Sequence, residues 1–214
     1  MPITSSSAPL RDLVKQYGPN SPQVTRIVSA VNSSAYLENL WNDFAARVTT
    51  RGESPVLRVD PLDDSGRGNV TGRDPVPADT SAGTGSVLLS LDYFRSGPPT
   101  SSGQSPRPTD QYGHYDLVSA LAHEIQHSNT YDARRANEQA SLTGGGSATN
   151  LATNYANLRT NDELTSKVAE YNALKAAGAS DADIALRINY IQPDGTVLDF
   201  FRHIKIGGSG PGTV

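Results

Sequence analysis

The chain has 214 residues, a formal net charge of −4, 36% hydrophobic residues, 19 glycines, 14 prolines and no cysteine. That length suits one domain with a sizeable core. The acidic balance, with no block of Lys or Arg, argues against a nucleic-acid partner, and no apolar run approaches the ~20 residues of a membrane span.

Residues 1–8 are small and polar and read as a disordered leader without the basic and apolar regions of a Sec signal. A first helix is expected over 9–17, stopped by Gly18. A second starts at Ser21-Pro22, a good N-cap and a good first helical residue, and carries Val24, Ile27, Val28 and Val31 at helical spacing. A third, over 34–48, places Leu37, Leu40, Trp41, Phe44 and Val48 on one stripe. Residues 55–60 read as a strand, and 61–84 as a long irregular loop rich in Gly, Pro and Asp.

Residues 87–92 form the best strand signal in the chain. A second Pro/Gly/Ser-rich loop, 94–113, leads to a helix that starts near Tyr115 or Asp116 and is stopped by Gly144-Gly-Gly146. Residues 148–158 read as a weak helix or a loop, and 161–177 as a strong helix closed by Gly178. Ser180 caps one more helix, 197–206 reads as strand or extended tail, and 207–214 as a disordered tail. The expected organisation is therefore one domain over 9–206.

Chemistry concentrates at His-Glu-Ile-Gln-His, 123–127. On a helix, residues four apart differ by about 40° around the axis, so His123 and His127 share a face. Two imidazoles there are two ligands for one zinc ion. Glu124, about 100° round, can reach a water beside the metal without ligating it. With no thiolates in the chain, a third ligand must be carboxylate or imidazole. Asp132, Glu138, Asp162, Glu163, Glu170 and His203 lie downstream. Glu163 and Glu170 are seven apart and share a helix face. Glu163 also fits a capping box, Thr160-x-x-Glu163. Glu163 is preferred as ligand, with Glu170, an aspartate or His203 as alternatives. A carboxylate that does not ligate can orient a histidine through its second ring nitrogen. In this scheme Glu124 is the general base, and Tyr131, Tyr155, Tyr171 or His203 supplies a donor to the oxyanion.

The order of these segments resembles a known family. A helix with Leu37, Leu40, Trp41 and Phe44 precedes a Gly52-x-x-Pro55-Val-Leu strand, then Gly83-Thr-Gly85-Ser86-Val-Leu-Leu-Ser-Leu-Asp92, Leu121-Ala-His-Glu-Ile-Gln-His127 and Asp162-Glu163-Leu-Thr-Ser. Over about residues 35–175 this is similar to the zinc metalloprotease effectors and toxins of Gram-negative bacteria, namely the NleD-like type III effectors and the type VI and Rhs metallopeptidase toxin domains. Ser128, where the family has a small apolar residue, and a Gly-rich insertion before Glu163 depart from its pattern.

The resemblance implies an α+β, zincin-like fold and one Zn2+ per chain on His123, His127 and Glu163. It also implies a strand (Val87, Leu88, Leu89) at a sheet edge that binds extended peptide. The long loops 61–84 and 95–113 are expected to line or cover the cleft. The implied protein is a monomeric endopeptidase delivered without a Sec signal, cutting a protein in a recipient cell, either in a host cytoplasm or in a rival's periplasm. A peptidoglycan or small-peptide amidase and a non-catalytic zinc-binding module are the alternatives.

Overall fold

The computed structural model describes residues 2–51, 57–60, 70–71, 86–90, 94, 113–145 and 147–188. Helices start where the sequence offers caps. After a 3-10 turn, Ala8–Leu10, α1 (Arg11–Tyr17) ends at Gly18. Ser21 Oγ accepts the Val24 N–H at the start of α2 (Pro22–Asn32), and Ser34 Oγ accepts the Leu37 N–H (3.2 Å) at the start of α3 (Ala35–Arg51). Three short strands follow: β1 (Leu57–Asp60), β2 (Val70–Thr71) and β3 (Val87–Ser90). Two long helices, α4 (His114–Thr143) and α5 (Ala148–Ala176), and a short α6 (Asp181–Arg187) complete the described chain. Among the described residues no helix is long and apolar enough to cross a membrane.

The sheet order is β1-β3-β2, with β1 parallel and β2 antiparallel to β3. Leu57 to Asp60 pair in register with Val87 to Ser90, and Val70 and Thr71 pair with Leu88 and Val87. The expectation that Val87, Leu88 and Leu89 form a sheet edge is therefore corrected: β3 is the central strand. Val87 and Leu89 are buried while Leu88 is only partly so, the alternation of a strand with one face on the core.

That core is built from the apolar stripes of α2 (Val24, Ile27, Val31), α3 (Leu37, Trp41, Phe44) and α4 (Leu117, Leu121, Ile125). Trp41 and Phe44 meet edge to face, ring centroids 6.0 Å apart. Residues 2–8 are corrected from disordered leader to packed segment. Ile3 is buried; its N–H donates to Asn32 Oδ1 (2.7 Å), and Asn32 Nδ2 donates back to the Ile3 carbonyl (3.0 Å). The Trp41 indole donates to Ser7 Oγ (2.8 Å), giving a buried N–H its partner. The expected helix over 9–17 is likewise divided into the 3-10 turn and α1.

A second revision matters for the site. Residues 148–158 and 161–177 form one helix, α5, capped by Ser147, whose Oγ accepts the Asn150 N–H. Thr160 is thus mid-helix, bonding back to the Ala156 carbonyl (2.8 Å), and the Thr160-x-x-Glu163 capping box does not form. The residues 61–69, 72–84, 95–112, 197–206 and 207–214, with the loop, strand and tail expected there, lie outside the described residues.

α5 closes on Gly178, at φ +82°. The Ala179 N–H donates to the Leu174 carbonyl (3.0 Å) and the Gly178 N–H to that of Lys175 (3.1 Å), a Schellman ending that turns the chain into α6. A Cβ on Gly178 would meet nothing within 4 Å, so the penalty for Gly178→Ala is conformational alone. Denaturant unfolding should show a loss of about 1–2 kcal/mol.

Candidate metal centre

α4 and α5 lie side by side, and their facing stripes carry the polar residues that the sequence singles out. On α4, His123 and His127 bring their Nε2 atoms to 3.0 Å from each other. On α5, Glu163 turns one oxygen to each ring, Oε2 at 3.5 Å from His123 Nε2 and Oε1 at 3.4 Å from His127 Nε2. Tetrahedral zinc, with bonds of about 2.0–2.1 Å, needs ligand atoms roughly 3.3 Å apart. The three side chains, with ligand atoms all within 4.8 Å of one another, could hold a metal ion. Glu163 is half exposed, and so leaves a solvent-facing side to the group.

The opposite nitrogen of each ring is held by a buried carboxylate of α5. His123 Nδ1 lies 2.6 Å from Glu170 Oε1, and His127 Nδ1 lies 2.7 Å from Asp162 Oδ2. The two supports are wired alike. Glu170 Oε1 also accepts from Lys167 Nζ (2.6 Å) while its Oε2 accepts from Ser119 Oγ (2.7 Å). Asp162 Oδ2 also accepts from Arg134 Nη1 (2.5 Å) while its Oδ1 accepts from Thr130 Oγ1 (3.0 Å). Each carboxylate thus places Nδ1–H toward itself and leaves Nε2 as the ligating atom.

Charge follows from this geometry. Burial pulls His127 toward the neutral form, yet its bonds to Asp162 and Glu163 outweigh burial and raise its pKa. Burial pushes Asp162 up, but His127, Arg134 and Thr130 bring it below the usual carboxylate range. Glu163 is lowered chiefly by its bond to His127, against burial. Glu170 is lowered by His123 and Lys167, which overcome its burial. Glu124 behaves differently. Burial lifts it to about 7, and the two imidazoles offset only part of that rise. Glu124 follows His123 in the chain and is buried, with 6% of its surface exposed.

The remaining sequence candidates have other neighbours. Asp132 pairs with Arg47 of α3 (3.4 Å), and Glu138 is buried 3.9 Å from Arg134. Ser128 is fully buried, its hydroxyl accepting from Arg47 Nη1 (3.0 Å), so the residue that departs from the family's pattern faces α3. Tyr131 is buried under the Arg134 guanidinium, Tyr171 packs on the core beside Lys175, and Tyr155 is exposed. His203 lies outside the described residues. Ser119, Thr130, Arg134 and Lys167 were not foreseen. Only their spacing, Ser119 four before His123 and Lys167 four after Glu163, hinted that they share the facing stripes.

Asp162→Asn and Glu170→Gln remove an imidazole's anionic partner while keeping side-chain volume. Each is expected to weaken divalent-metal binding by about 10–100-fold in a competition titration with a chromophoric chelator. Glu163→Gln should weaken it at least as much. No protein-family model matches the chain, and neither a curated protein nor a solved structure matches it.

Proposed function

We propose that this protein is a zinc-dependent metallopeptidase of zincin type. The observation that carries the reading is the convergence of His123, His127 and Glu163 from two helices, with the buried Glu124 next to His123 in the chain. A structural zinc would be closed by a fourth protein ligand, whereas a trio with one solvent-facing side leaves a position for water or substrate. When bound there, zinc would acidify the attacking water and polarise the scissile carbonyl. His123 and His127 hold their Nε2 atoms toward the centre because Glu170 and Asp162 grip the other nitrogens. Glu124 takes the proton from the attacking water as the oxygen bonds to the carbonyl carbon. It then delivers that proton to the amide nitrogen as the C–N bond breaks, releasing an amine and a carboxylic acid.

An extended substrate cannot add to β3 at Val87 and Leu88, since both are paired on that side with β2. Among the described strands the edge on that side is β2, antiparallel to the other two, and we assign a substrate strand there. Delivery to a recipient cell, and a protein of that cell as target, rest on the resemblance of the segment order to the bacterial effectors and toxins.

Glu124→Gln is the decisive substitution, because it touches the proton and not the metal. Purified wild type and Glu124→Gln should each carry one zinc per chain. Cleavage of an unfolded protein substrate should fall by about 10²–10⁴-fold in the variant. Equal cleavage by both would refute the mechanism. Activity on peptidoglycan, with none on protein, would favour the amidase instead.

A further inference from the structure

The outer halves of α4 and α5 have almost no core of their own. Among the described side chains between Asp132 and Thr165, only Glu138 and Asp162 are buried. α4 is anchored by Leu117, Leu121 and Ile125, all on the N-terminal side of His127 or beside it. α5 is anchored by Ala169, Ala173 and Leu174, beyond Glu163. Past these anchors the two helices run on as a hairpin that buries little: Leu151 and Leu158 are only partly buried and Tyr155 is exposed. Helical segments of about 12–15 residues are marginal in water without an apolar face to bury.

The base of the hairpin is fastened by the residues around the trio. There Arg134 bonds to Asp162, and the His127 ring lies between Asp162 and Glu163. All of these contacts are polar, and the carboxylates Asp162, Glu163 and Glu170 crowd one short stretch of α5. A cation at the trio would join α4 to α5 through two ligands on one helix and one on the other. It would also offset that crowded negative charge.

We infer that metal occupancy fastens this hairpin, so that residues 132–165 open locally when the centre is empty and close when it is loaded. The inference rests on the metal reading and adds to it. The same ion that serves the chemistry holds Glu163 and Asp162 against α4, and the loaded hairpin forms one wall of the site. Linkage makes the two events reciprocal: a ligand that binds only the closed form raises its protection in proportion to ligand concentration over Kd. The rest of the fold, whose helices α2 and α3 bury apolar stripes, has no such dependence.

Hydrogen–deuterium exchange of the full chain, read by mass spectrometry with zinc in excess and again with chelator, tests this. Amides of 134–142 and 150–161 should exchange at least about tenfold faster without zinc, with those of α2 and α3 unchanged. Glu163→Gln keeps a good helix former but cuts the link to α5, so with zinc present its hairpin should exchange as in chelated wild type. Equal hairpin exchange with and without zinc, in a wild type that takes up one zinc per chain, would overturn the coupling alone. So would full zinc protection in Glu163→Gln. A wild type that takes up no zinc would overturn the metal reading and the coupling with it.

Discussion

Two imidazoles pressed between buried carboxylates set the terms for everything around them. Burying Asp162 and Glu170 is costly unless each charge is met, and each is met three times, by a histidine, a cation and a hydroxyl. Those partners come from α4, apart from Lys167 one turn before Glu170, so satisfying the carboxylates also sets how the two helices are turned toward each other. Glu163, next to Asp162 in sequence, is then carried to the imidazoles by the rotation of the helix alone. The centre and the helix pairing are one solution to one electrostatic problem.

The apolar core supports that arrangement from behind. Leu117, Leu121 and Ile125 seat the first half of α4 against α2, α3 and the sheet. Arg47 of α3 grips Ser128 and Asp132 just past His127. At the start of α4, Asp116 accepts the Gly113 N–H (2.9 Å) and pairs with Arg187 of α6 (2.8 Å). The ligand-bearing turn is therefore held on both sides along the helix, which places its rings by packing rather than by loop conformation.

What could be read from the chain follows the range of the interactions involved. α2, α3 and the first half of α4 were legible because their apolar residues recur at helical spacing. The facing of His123 and His127 was legible because it needs only the helical repeat. The first half of α5 was open between weak helix and loop, because Leu151, Tyr155 and Leu158 are set among Ala, Asn and Thr; it is the helical alternative that forms, with Ser147 as its cap. The packing of residues 2–8 depends on the Asn32 amide and the Trp41 indole, about 30 residues away, and no local pattern records such bonds. β3 became central through β2, a two-residue partner in a stretch rich in Gly and Asp, which periodicity cannot detect. Asp162 and Glu170 could be named as metal candidates, but their places as supports depend on which turn of α5 faces which turn of α4.

Among the described residues, every member of the centre lies on α4 or α5. Each helix acts as a ruler. One residue inserted between Asp162 and Glu170 would swing one of them by about 100° and break the set. The centre is thereby written in spacing: it would survive substitutions along the outward faces of α4 and α5, but not a change of phase within either helix.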